Sequence, residues 1–180
     1  ASYDGKHIRL HAGMGLVPDV YDEATLGQEL QGNRAIGHVR YSTSGVSVRK
    51  NAQPLVVRVC GIEIALAHNG TLVNTNHLRA QLIDEGEHLR AGTDSEVAAK
   101  AIGHLTRQTH HLREGIRYAM ENLEGAYAMV LASPEALYAF RDPHGIRPLC
   151  IGRLPEGRGW VVSSETCGLD IVGAEYVRDV

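Results

Sequence analysis

The chain has 180 residues and a formal charge of −3 with its histidines neutral. That is enough for one domain with a sizeable core, and too weak a field to seek nucleic acid or anionic lipid. No apolar run is long enough to span a membrane and no secretory leader pattern opens the chain. The three cysteines, Cys60, Cys150 and Cys167, are odd in number and widely spaced. They exclude a disulfide framework and a zinc site, read as small buried apolar residues, and fit a reducing, cytoplasmic setting.

Ala1 to Lys6 reads as a strand ending in a turn at Asp4-Gly5, with Ile8 and Leu10 in a second strand. Gly13-Met14-Gly15 lacks the third glycine of a dinucleotide loop and reads as a bend. A helix is expected from Pro18 to Leu30, stopped by Gly32-Asn33. Ala35 to Thr43 reads as a strand that turns polar, followed by a small, polar, mobile loop from Ser44 to Ala52. Leu55 to Val59 and Ile62 to Ala67 form a hairpin around Cys60-Gly61, with Ile62, Ile64 and Leu66 on one face.

Three helices come next. Asn74-Thr75 opens the first, with Leu78, Leu82 and Ile83 as its stripe. Thr93 caps the second, with Asp94 and Glu96 in its first turn. Leu112 to Leu123 forms the third, closed by Gly125. Ala126 to Ala132 and Ala136 to Arg141 are strands, followed by a turn-rich loop from Arg141 to Leu149. A last hairpin pairs Leu149–Gly152 with Trp160–Ser163. Ser164-Glu165 starts a helical turn, and Tyr176 to Val180 is the final strand. Helices bracketed by hairpins define an α+β domain with mostly antiparallel sheets.

Three positions suggest chemistry. Asn69-Gly70 ends an apolar run, which suits a hairpin turn. An amide side chain followed by an unshielded N–H is the less common alternative, an oxyanion hole. Arg40 is either a solvated rim charge or a fork for a carboxylate. Asp94 is either part of the helix cap or the acceptor of an ammonium group.

Taken in series, several stretches resemble the glutaminase domain of class II glutamine amidotransferases, which are N-terminal-nucleophile hydrolases. They are Gly37-His38-Val39-Arg40-Tyr41-Ser42-Thr43, Gln53-Pro54, Leu66-Ala67-His68-Asn69-Gly70, Thr93-Asp94-Ser95-Glu96, Gly125-Ala126-Tyr127, Arg141-Asp142-Pro143-His144-Gly145-Ile146-Arg147-Pro148-Leu149 and Ser163-Ser164-Glu165-Thr166. The likeness covers nearly all of residues 1–180 as one partial domain. Within the family it is greatest to members that pass glutamine-derived ammonia to phosphoribosyl pyrophosphate at the start of purine synthesis. Members that make glucosamine 6-phosphate or asparagine differ at these points.

The resemblance implies a four-layer αββα sandwich, truncated at its N-terminal strand. It implies that Arg40 holds the α-carboxylate of L-glutamine with Thr43 nearby, and that Asp94 receives the α-ammonium. Asn69 and Gly70 would hold the oxyanion. The 141–149 loop and Ser163-Ser164-Glu165 would be structural.

The family's nucleophile is a cysteine at the mature N-terminus, using its own α-amino group as base. None of the three cysteines here matches it, and the chain opens with Ala1. The expectation is a fragment, inactive alone, whose parent adds a phosphoribosyltransferase domain, forms a homo-oligomer and uses Mg2+ with phosphoribosyl pyrophosphate. Some relatives also carry an iron–sulfur cluster; no cofactor or metal site is expected within these residues. Two alternatives stay open: the glutaminase domain of another class II amidotransferase, and a non-catalytic glutamine-binding module.

Overall fold

The computed structural model describes residues 1–40, 49–90 and 92–180. At its centre is an antiparallel sheet in the order β4 (Leu55–Val59), β5 (Ile62–Leu72), β6 (Gly125–Ala132), β7 (Leu137–Arg141). β5 is buried on both faces, and its two faces differ in side-chain size. Ile64, Leu66 and Leu72 pack with the helices, whereas Ala65 and Ala67 meet Ala1, Ile36 and partly buried Ile8 on the other side. Bulky residues fill the helix interface, and alanines leave room for a second sheet. That second sheet is β2 (Ile8–Arg9), β1 (Ser2–Tyr3), β3 (Arg34–Ala35). Arg34 fastens it to the tip of the β6–β7 hairpin by donating to the carbonyls of Ser133 and Pro134.

The helix layer comprises α2 (Thr75–Asp84), α3 (Asp94–Thr109) and α4 (Leu112–Asn122). Leu78, Leu82, Val97, Ile102 and Ile116 point into the core, whereas Ile83 is exposed rather than part of the expected stripe. Two turns of helix meet closely at Gly115, where a Cβ would fall on Thr106. Beyond the helices, β8 (Cys150–Arg153) lies between β9 (Trp160–Ser163) and β10 (Glu175–Asp179) in a third sheet, with α5 (Thr166–Ile171) packed against it. All strand pairings are antiparallel among the described residues, as the α+β reading expects.

Four further expectations are corrected. The Pro18–Leu30 helix is two pieces: α1 (Val17–Val20) and a π-helical turn over Thr25–Glu29. Tyr21 between them is extended, its hydroxyl donating to the His11 carbonyl, and the Asp22 carboxylate restarts the chain by accepting the Thr25 N–H. Of the strand expected from Ala35 to Thr43, the described residues show only Arg34–Ala35, because its partner β1 is itself two residues long. Thr43 and most of the 44–52 loop lie outside the described residues.

The other two corrections bear on chemistry. Asn69-Gly70 is no turn: β5 runs through it to Leu72 while β6 keeps pairing, Gly70 opposite Tyr127 and Leu72 opposite Gly125. Finally, only Cys150 is buried. Cys60 (φ 48°) sits with Gly61 (φ 83°) in the two-residue β4–β5 turn, which puts both at positive φ, and Cys167 is exposed on α5.

Candidate active site

The site is built along one edge of β5. β4 pairs with β5 only as far as Leu66, so on this side the main-chain groups beyond that point have no strand beside them among the described residues. In an antiparallel strand these groups point alternately to the two sides. Val73 donates to Glu124 on the β6 side, whereas His68 and Leu72 face the open edge. Side chains replace the missing strand there. The Gln53 carboxamide accepts the His68 N–H at 2.7 Å and donates to the His68 carbonyl at 3.3 Å. Asp94 Oδ2 accepts the Leu72 N–H at 3.2 Å. Gly70 lies between these two plugged positions, on the same edge, with Asn69 exposed beside it.

Gly70 is required by geometry. Its φ is 136°, and a Cβ would fall on the Ala126 carbonyl of β6. Gly125 mirrors it at φ 134°, where a Cβ would fall on the Thr71 carbonyl. Two glycines on facing strands thus let the backbones approach where the ladder carries the candidate oxyanion donors.

Asp94 is held by its neighbours and still has lone pairs to offer. Thr93 Oγ1 accepts the Glu96 N–H, so Thr93 is the cap and Asp94 is the first residue of α3. Asp94 Oδ1 accepts the Ser95 N–H at 2.8 Å. A carboxylate has about four acceptor positions, so two backbone bonds leave capacity for an ammonium. The side chain is 25% exposed, enough for a ligand to reach.

His68 lies under this edge, its side chain 1% exposed. Its Nδ1 is 3.1 Å from Ser95 Oγ and 3.7 Å from Asp94 Oδ1. Burial lowers its pKa, and His38 and Arg147 act in the same sense, against the opposing pull of Asp94. The ring is therefore neutral at pH 7, and the contact with Asp94 is not an ion pair. His38 Nε2 lies 3.1 Å from the His68 carbonyl, which can only accept, so the proton sits on Nε2. Burial lowers the pKa of His38 as well.

Arg40 is exposed, two residues after His38. With residues 12–17, 38–39 and 51–53 it lines a cavity of about 300 Å³. Neither Asn69, Gly70 nor Asp94 lines that cavity. His38 and Gln53 connect the two regions, since both line the cavity and both bond to His68. The structure therefore places Gly70 and Asp94 on one strand edge, with Asn69 exposed next to Gly70, and puts Arg40 at the cavity that His38 and Gln53 also line. Gln53, His68 and Ser95 received no individual role in the sequence reading. Their only signal there was their presence inside the resembling stretches.

The 141–149 loop is organised by Asp142, 2% exposed. Its carboxylate accepts from the N–H groups of Tyr127, His144, Ile146 and Arg147. Burial alone would raise its pKa; the backbone donors outweigh it and hold the carboxyl below the usual range.

A family model described as a glutamine amidotransferase domain matches residues 38–170. The amidophosphoribosyltransferase of Synechococcus elongatus is 48% identical over 183 residues, covering 100% of this chain and 37% of that protein. The amidophosphoribosyltransferase of Archaeoglobus fulgidus is 41% identical, covering 100% of this chain and 38% of that protein. The chain thus spans a little over a third of the length of these relatives. Among solved structures, the glutamine phosphoribosylpyrophosphate amidotransferase of B. subtilis, complexed with ADP and GMP, superimposes with a TM-score of 0.86 at 38% identity. That match covers 99% of this chain and 38% of the other. The matched fold is that of an N-terminal-nucleophile hydrolase, and the chain belongs to the glutamine amidotransferase domain family.

Proposed function

We propose that this chain is the glutaminase part of an amidophosphoribosyltransferase, releasing ammonia from L-glutamine for transfer to phosphoribosyl pyrophosphate in the first step of purine synthesis. The observation that carries the reading is the open edge of β5, where Gly70 and Asn69 lie beside a partly exposed Asp94 carboxylate. Asp94 would take the α-ammonium of glutamine, and Arg40, with Thr43, the α-carboxylate. The Asn69 amide and the Gly70 N–H would share the oxyanion formed when a thiolate adds to the side-chain carbonyl. Ammonia then leaves, and water cleaves the thioester to glutamate. Losing one oxyanion donor typically costs about 10²–10³ in rate.

None of Cys60, Cys150 and Cys167 lies among these residues, so the nucleophile would be a cysteine outside the 180 residues. No group of three or more His, Cys, Asp or Glu side chains among the described residues is placed to hold a metal ion. Mg2+ would come with phosphoribosyl pyrophosphate, and it and any iron–sulfur cluster would be held by other parts of the parent. The parent would act in the cytoplasm as a homo-oligomer. The same lack of a thiol at the site favours a second reading, a glutamine-binding module without chemistry.

The test is glutamine hydrolysis by the full-length polypeptide, compared with this chain alone. The proposal expects ammonia release from the former, none from the latter, and a raised KM in Arg40→Ala. Hydrolysis that is unaffected by Arg40→Ala and Asp94→Asn would overturn the site assignment. Binding without hydrolysis in the full-length polypeptide would favour the second reading.

A further inference from the structure

Gln53 is the residue that links the parts of the site. Its Oε1 accepts the His68 N–H, and its Nε2 donates both to the His68 carbonyl and, at 3.1 Å, to Ser95 Oγ. The first pair reproduces, with a side chain, the two bonds a neighbouring strand residue would make. The third reaches the first turn of α3, where Ser95 Oγ touches His68 Nδ1 and lies 3.5 Å from Asp94 Oδ1. One carboxamide thus ties the peptide immediately before Asn69-Gly70 to the helix terminus that carries Asp94.

We propose that Gln53 is a positioning residue: its carboxamide makes the bonds of a neighbouring strand residue, fixing the Asn69-Gly70 backbone relative to the Asp94 carboxylate. The inference rests on the glutaminase reading above and adds to it a residue that touches no substrate. Its physical basis is the steep dependence of catalysis on placement, since a displacement of about 1 Å can cost about 10²-fold in rate. Among the described residues, β5 beyond Leu66 has no strand on this side to resist such a displacement. The His68 carbonyl is also held by His38 Nε2, so removing Gln53 leaves one of its two acceptor bonds in place. The effect should therefore fall on geometry before it falls on folding.

The experiment uses the full-length polypeptide and reads steady-state glutamine hydrolysis. Gln53→Met preserves length and removes all three bonds. It is expected to lower kcat by about 10-fold to 100-fold while the KM for glutamine shifts by less, because Asp94 keeps its Leu72 and Ser95 bonds. Gln53→Glu guards against a Met variant that fails to fold. It keeps one acceptor, loses both donors at neutral pH, and regains an O–H donor when protonated. Its activity relative to wild type should rise as the pH falls while its folded fraction, followed by circular dichroism, stays constant; a purely structural role would move the two together.

A folded Met variant with wild-type kcat would overturn the proposal, as would a Glu variant whose activity ratio is flat with pH. Wild-type enzyme that hydrolyses glutamine while Gln53 variants match it would refute the positioning role alone. Wild-type enzyme that hydrolyses none would refute the glutaminase reading and this inference with it.

Discussion

Asp142 and Asp94 both hold main-chain N–H groups in this domain, and they do so to different ends. Asp142 is buried and surrounded by four backbone donors, all within its own hairpin and loop. Asp94 accepts from two, one on another element, and remains partly open to solvent. A carboxylate whose acceptor positions are filled shapes a loop. One with positions left over, at the rim of a strand edge, can receive a ligand. Residue type alone does not separate the two; the number of donors and the exposure do.

Several substitutions break this contrast, beginning with the largest effect. Gly70→Ala would force a Cβ onto Ala126 at a φ that side chains rarely adopt, costing about 4 kcal/mol in stability. A denaturation midpoint close to wild type would show that the β5–β6 approach is looser than described. Asp142→Ala would leave the buried Tyr127 N–H and three loop N–H groups without their acceptor. It is expected to cost about 3 kcal/mol by chemical denaturation and to leave glutamine affinity of the folded fraction unchanged. Asp94→Asn should do the reverse. Glutamine affinity by calorimetry is expected to fall about 30-fold or more, with a stability change under about 1 kcal/mol. If both variants lost stability equally and affinity not at all, the contrast would fail.

Acid sharpens the comparison further. Asp142 binds its proton less readily when folded than when unfolded. Its contribution is therefore complete above about pH 4 and is lost as the pH falls through its lowered folded value. His68 and His38 are also lowered. Below about pH 6.5 the unfolded chain takes up protons that these folded rings refuse, so stability declines with falling pH well before Asp142 responds. Each ring contributes at most about 1.4 kcal/mol per pH unit. Urea midpoints at pH 7.5 and 5.5 measure this, and equal midpoints would contradict a neutral His68.

The helices and hairpins were legible because their signals are local. Thr93 before Asp94 and Glu96 marked the start of α3, and Cys60-Gly61 marked the β4–β5 turn. Asn69-Gly70 favours a turn locally unless a partner strand claims the pair. That partner, Tyr127-Ala128, lies beyond three helices in the chain. The Pro18–Leu30 helix failed for a similar reason, since the Tyr21 hydroxyl is drawn off to His11. Asp94 and Gly70 could be nominated from residue type and resemblance. The role of Gln53 could not, because a carboxamide pairing with backbone across the fold leaves no periodic trace.

The same β5–β6 ladder has a consequence for how the chain folds. It joins residues separated by the whole of α2, α3 and α4, so its closure must wait for entropy lost over a long loop to be offset. The α3–α4 pair, in contrast, is joined by a short connection and can form from local contacts. Gly70 acquires its positive φ and its place on the open edge only when that long-range register is set. The residues nominated for chemistry are thus assembled late on the folding pathway, after the helix layer against which β5 packs.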